Sequence, residues 1–287
     1  MKRAKLLLCV AKVPLSLLVS ASALFGFVLQ KAAFSGELFI TTFSVFLLST
    51  GAASLNNIQD TEYDKHFTRT RNRPLPRGIL SKQTVFIQVL ILLTAGTALL
   101  LWVSGTILPA LVGLATVVFY NGLYTPLKTK SVWAILPGAI CGMLPPYIGW
   151  LSAGGVLYDP VIALWMVILG IWQIPHSWMT LLKQRQEFFK HSRYYSVVTR
   201  YSVSQLRKVT LVWVVAFASL SLMWPLVGMA DRYTVTRYLL LVNAVLLCAS
   251  FLKVLIRNTD PSLGRLFLHL NMSLAAVMLL VGFDSIA

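Results

Sequence analysis

Nine long apolar stretches dominate this chain and leave little room for any other fold. They run at about residues 14–32, 38–57, 84–104, 107–124, 132–153, 160–182, 208–228, 236–256 and 266–284. At about 1.5 Å per residue each is close to, or beyond, the length that crosses a bilayer core as a helix. A backbone in hydrocarbon must satisfy its own hydrogen bonds, which a helix does within one segment. Composition agrees: 57% of residues are hydrophobic and 12% charged, with a mean hydropathy of +0.75, well away from a soluble domain. The expectation is an all-α polytopic membrane protein with nine transmembrane helices, one membrane domain over residues 1–287, surrounded by the lipid bilayer. Pro14, several serines and the lack of a convincing cleavage site make the first stretch a retained span rather than a signal peptide.

The formal charge of +16 resembles a nucleic-acid footprint until it is mapped. All Lys and Arg except Lys31, Arg232 and Arg237 fall at the N-terminus or in and beside four connections, 58–83, 125–131, 183–207 and 253–265. The intervening connections hold almost none. By the positive-inside tendency, the basic lead-in 1–13 and the loops 58–83 and 183–207 are cytoplasmic, and nine spans put the C-terminus outside. No nucleic-acid partner is implied. Cys9, Cys141 and Cys248 lack any paired spacing and read as small apolar residues.

The chemistry concentrates in residues 56–78, NNIQDTEYDKHFTRTRNRPLPRG. Asn56, Asp60 and Asp64 stand four apart, so on a continuing helix they share one face within about 80°. Asn57 falls near that face. Two carboxylates and amides at the mouth of a membrane helix suit Mg2+, which takes oxygen ligands and bridges carboxylates to substrate phosphates. Arg69 and Arg73, with Lys65, Arg71 and Arg77, supply donors for phosphate oxygens. The plainer alternative is a solvated helix end followed by an orienting basic loop. Farther on, FYNGLYTPLKTK (119–130) places Asn121, Tyr124, Lys128 and Lys130 at the same membrane face, as an aromatic belt with lysines or as a diphosphate contact. In span five, Gly138 and Gly142 predict a close helix approach, and Pro145 and Pro146 a break. In span six, His176, Thr180, Lys183 and Glu187 would line one face of an uninterrupted helix. An intramembrane histidine is a candidate functional group, although one interhelical hydrogen bond would also account for it.

The NxxxDxxxD string and its continuation RTRNRPLPRG resemble the first aspartate-rich motif of the UbiA superfamily of intramembrane prenyltransferases. YTPLK, the Gly-rich run before PPYIGW, and IWQIPHSW resemble its heme O synthase branch. The resemblance spans about Lys12 to Ser273. It implies a UbiA-type helical bundle and an Mg2+-dependent transfer of a farnesyl group from farnesyl diphosphate to a vinyl group of heme B, heme B being substrate rather than cofactor. In that scheme Asn56, Asn57, Asp60, Asp64 and Glu187 hold metal. Asn56, Arg69, Arg73, Asn121 and Lys128 hold diphosphate. Asp60, Asp64, Lys128 and His176 are catalytic, His176 orienting water or touching heme. A bacterial-type inner membrane is the implied location. Loop 183–207 departs from the family pattern: Glu187 is its only acid, and Lys190, His191, Arg193, Tyr194 and Tyr195 stand where small residues are usual. Two alternatives remain open, transfer to an aromatic quinone precursor and a non-catalytic heme- or isoprenoid-binding assembly protein.

Overall fold

The computed structural model describes residues 2–190, 197–230, 233–257 and 263–286. Among these residues there is no strand, and nine helices are long and apolar enough to cross a membrane. The chain divides into two units, Met1–Leu157 and Tyr158–Ala287.

The first unit opens with α1 (Lys2–Val10) and α2 (Val13–Gln30). Between them Lys12 takes a left-handed backbone, φ 49° and ψ 47°, a conformation that costs a non-glycine residue about 1–2 kcal/mol. Next come α3 (Gly36–Gln59), the single turn α4 (Thr61–Asp64) and α5 (Lys82–Ser104). Ser35 and Ser81 cap α3 and α5, each accepting a hydrogen bond from the third backbone amide beyond it. The small residues Ala23 and Ala110 interlock with Val45, Leu48, Leu100 and Ile148 in a shared core.

The fourth span is not a uniform helix. After α6 (Leu108–Val117) the chain widens into a π-helical stretch, Val118–Tyr124, before the short α7 (Thr125–Leu127). Pro126 is the local cause, because it has no N–H to give back to the preceding turn. The Thr125 amide bonds five residues back to Tyr120 O. Asn121 O, five before the proline, is satisfied instead by Gln59 Nε2 at 2.9 Å.

Helix α8 (Ile135–Ser152) runs without a break through Pro145 and Pro146, against the expected interruption. Two missing amides weaken the ladder, but packing on α2 keeps the helix continuous. A Cβ at Gly26 would lie 1.9 Å from Pro146 O, and one at Gly149 1.9 Å from Ala23 O. Backbone therefore meets backbone at Gly26 and Gly149, whereas Gly138 of the expected pair receives the Tyr124 ring.

The second unit contains α9 (Pro160–Lys183), α10 (Arg185–Lys190), α11 (Val197–Arg200), α12 (Val203–Leu220), α13 (Thr234–Arg257) and α14 (Leu263–Ile286). Helix α9 packs on α12 and α14, and α13 on α12 and α14. Trp165 and Trp224 meet at 5.9 Å between ring centroids. The seventh span begins five residues before the predicted 208 because Ser202 and Gln205 form a reciprocal capping box. It stops at Leu220, ahead of a 3-10 turn that contains Pro225. The predicted polar stripe through Glu187 ends early as well, since the helix stops at Lys183 and Gln184 separates α9 from α10. His191, Arg193, Tyr194 and Tyr195 lie outside the described residues.

Candidate functional site

The end of α3 and the turn α4 keep the expected helical phase across Asp60, whose amide bonds to Asn56 O while the Asp64 amide bonds to Asp60 O. Asn56, Asn57, Asp60 and Asp64 are all buried. Three cations from three different segments converge on them. Lys128, just past α7, pairs with Asp60 Oδ2. Arg73 NH1 pairs with Asp64 Oδ2 at 2.7 Å and reaches Asn57 Oδ1 at 3.5 Å. Lys12 Nζ donates to Asn56 Oδ1 at 2.7 Å. The Asp64 and Asp60 side chains are only 3% and 9% exposed, so these contacts are shielded from water on most sides.

The residues around this cluster fix it in place. Asn56 Nδ2 donates to Thr125 Oγ1 at 3.0 Å, and that hydroxyl donates to Tyr120 O at 2.8 Å. Asn57 Nδ2 donates to Val10 O at 2.7 Å and so satisfies a carbonyl at the end of α1. Asn121 Nδ2 donates to Ala52 O at 3.1 Å and Gln59 Oε1 at 3.0 Å. The buried Asn121 Oδ1 has no hydrogen-bond partner. Lys128 Nζ also sits 5.8 Å from the Tyr63 ring centre and 5.9 Å from that of Tyr124, within cation–π range.

Burial pushes the Lys12 ammonium down to about 8, with Arg73 and Lys128 adding like-charge repulsion and Asp60 and Asp64 opposing it. Two carboxylates facing three cations leave a surplus of positive charge. The donor set suits a hard divalent cation, because it offers carboxylate and amide oxygens and each ion pair engages only the Oδ2 atom of its carboxylate. Among the described residues no three His, Cys, Asp or Glu gather into a metal-binding group. Within this unit, an ion here would take its remaining oxygens from amides, water or substrate.

Of the predicted residues, Asn56, Asn57, Asp60, Asp64, Arg73, Asn121 and Lys128 form one network. Arg69 is exposed on the same loop and takes no part in it. His176 and Glu187 belong to the second unit, on α9 and α10. Sequence reasoning missed Lys12 and Gln59. Lys12 reads as one more residue of a basic leader, and its only distinguishing sign is its position at the last step before the apolar run. Gln59 stands three residues after Asn56, which places it on a neighbouring helix face.

The sequence pattern of the UbiA prenyltransferase family matches residues 18–275. A protoheme IX farnesyltransferase of Nitratidesulfovibrio vulgaris strain DP4 is 32% identical over 277 residues, covering 95% of this chain and 92% of that one. Protoheme IX farnesyltransferase 2 of Vibrio parahaemolyticus is 30% identical, covering 85% and 83%. Among solved structures, digeranylgeranylglyceryl phosphate synthase superposes with a TM-score of 0.79 at 16% identity, covering 100% and 99%. A UbiA homolog from Archaeoglobus fulgidus bound to GPP and Mg2+ gives 0.67 at 16%, covering 98% and 99%. The helical fold, the motif at residues 56–78 and a family match over most of its length agree: this chain is an integral membrane member of the UbiA prenyltransferase family.

Proposed function

We propose that the chain transfers a farnesyl group from farnesyl diphosphate to a vinyl group of heme B, with water adding across the remaining carbon, to form heme O. The carrying observation is the buried cluster of Asp60 and Asp64 ringed by Lys12, Arg73 and Lys128. The full-length similarity to protoheme IX farnesyltransferases supports the choice of acceptor.

Farnesyl transfer begins with departure of diphosphate from an allylic carbon. The polyanion is drawn by the surplus positive charge, with Arg73 offering a forked donor and Lys12 and Lys128 point charges. Asp60 and Asp64, with Asn56 and Asn57 assisting, would hold magnesium, whose charge would add to the neutralisation of the leaving group. Glu187 is proposed as an additional metal ligand and Arg69 as an outer diphosphate contact. Because Asp60, Asp64, Arg73 and Lys128 are held by their mutual contacts before substrate arrives, they stabilise developing charge with little reorganisation. The allylic C–O bond breaks and its electrons stay with diphosphate. The vinyl terminus then forms the new C–C bond, and water adds to the neighbouring carbon with loss of a proton. Residues 1–287 are read as one membrane domain, with the N-terminus and the cluster on the cytoplasmic side and the C-terminus external. Cysteine labelling in a cysteine-free background tests this, and labelling of loop 58–83 from outside would overturn it.

The test of activity is expression in a membrane that makes heme B but no heme O, followed by mass analysis of extracted hemes. The expected result is a farnesylated, hydroxylated heme that disappears in Asp60→Asn and Asp64→Asn while both variants remain inserted. Prenylation of an aromatic acceptor with no change in heme would overturn the reading.

A further inference from the structure

His176, which the family resemblance makes catalytic, takes no part in the steps just described, and its surroundings are more elaborate than a packing role requires. It lies on α9 and faces α14 within the second unit. Its Nδ1 is 3.1 Å from Asn271 Oδ1. The Asn271 amide nitrogen is committed to Phe267 O, so the oxygen turns toward the ring and Nδ1 is the nitrogen that carries the proton. That leaves Nε2 as an unprotonated lone pair, and no hydrogen bond engages it among the described residues. The imidazole is also held between two aromatic rings, Trp172 at 4.4 Å and Phe267 at 4.8 Å. Trp172 is anchored by its own bond to Leu270 O at 3.3 Å.

A histidine serving only to join α9 to α14 needs the Nδ1 contact and nothing more. A ring whose tautomer is set by Nδ1–H donation to a carbonyl oxygen, with Nε2 left open, is the usual arrangement of a metal-ligating histidine. A second group points the same way. Lys183 is seven residues farther along α9, about 10 Å on, close to the same face. Its Nζ lies 3.9 Å from the centre of the Phe267 ring. The Lys183 cation and the His176 imidazole thus both lie against the Phe267 ring, close enough for a flat metallocycle bearing carboxylates at its edge to meet both.

We infer that His176 Nε2 is the axial ligand to the iron of the heme acceptor, with Asn271 as positioning residue and Lys183 as partner of a heme carboxylate. The assignment rests on heme being the acceptor. Ligation would hold the macrocycle in one plane and limit which vinyl group can be presented to the allylic carbon.

The test uses the full chain in detergent, titrated separately with heme B and with metal-free protoporphyrin IX. Wild type is expected to bind heme B saturably with a histidine-ligated absorption and EPR signature. His176→Ala should bind heme B about 10- to 100-fold more weakly and lose that signature, while its affinity for protoporphyrin IX stays unchanged. Imidazole should restore the signature in His176→Gly, and Asn271→Leu should keep binding but shift the spectrum. Saturable heme binding with the same spectrum in wild type and His176→Ala overturns the ligand assignment and leaves the acceptor reading standing. Equal loss of heme and protoporphyrin IX binding also overturns it, since the role would then be structural. Absence of saturable heme binding in wild type removes the acceptor reading and the ligand with it.

Discussion

Replacing Lys12 by Met should make the protein more stable and less active. The ammonium is mostly buried, and its pKa falls from the ordinary 10.5 to about 8, first through desolvation and then through Arg73 and Lys128. That drop corresponds to about 3 kcal/mol by which the charged form is disfavoured in the folded state. Methionine fills similar space without charge and leaves only Asn56 Oδ1 without its donor, a loss of about 1 kcal/mol. The expected net gain is about 2 kcal/mol at pH 7 in metal-free detergent, read from thermal or denaturant unfolding. Linkage adds a second signature. Between about pH 8 and 10.5 the unfolded chain holds a proton on Lys12 that the folded chain has released, so wild-type stability rises with pH across that window. The penalty is complete below about pH 8 and gone above 10.5, and the gap between variant and wild type should close as the pH rises. Turnover should fall in the opposite sense, both in Lys12→Met at neutral pH and in wild type above about pH 8, as the cation facing diphosphate is lost. A Met variant that is destabilised at pH 7, or that turns over like wild type, would refute the reasoning.

Three further outcomes can be checked directly. Arg73→Lys keeps the charge but loses the guanidinium, whose NH1 alone serves both Asp64 and Asn57 and leaves its other donors for diphosphate, and should raise the KM for farnesyl diphosphate about 10-fold or more. An unchanged KM would remove Arg73 from the diphosphate site. Glu187→Gln should raise the magnesium requirement while Glu187→Asp retains substantial activity; a magnesium titration matching wild type strikes Glu187 from the metal ligands. Gly149→Ala places a methyl group 1.9 Å from Ala23 O, where only backbone could yield, and should lower stability by about 1–3 kcal/mol or more. Wild-type unfolding would mean α2 and α8 separate more readily than their packing implies.

Hydropathy alone located the nine spans, because burial in lipid leaves a long unbroken signature. The boundaries it blurred were those set by local hydrogen bonding, as at Ser202, where a capping box extends the helix into polar sequence. The Asn56–Asp64 face was legible because it depends on helical phase within one segment. The cations were only partly legible. Arg73 lies in the same loop as the acids and Lys128 ends a recognisable string, but Lys12 is 44 residues from its partner Asn56. No periodicity reports a contact of that kind. The prolines of α8 misled for the opposite reason: propensity predicts a break, and the tertiary contact at Gly26 and Gly149 overrides it.

The π-helical stretch at Val118–Tyr124 lets this end of the fourth span absorb a change of length. Wider winding accommodates one residue more than an α-helix of the same rise would carry. Removing Leu123 would let the stretch revert to ordinary winding with the following turns still in phase, whereas removing a residue from α6 would turn everything after it by about 100° about the axis. In the second case Thr125 and Lys128 would swing off Asn56 and Asp60 together, though neither had been altered. A single-codon deletion is thus absorbed inside the segment and re-indexes half of the polar cluster when it falls in α6. Aligned relatives should therefore show gaps within the segment and none in α6.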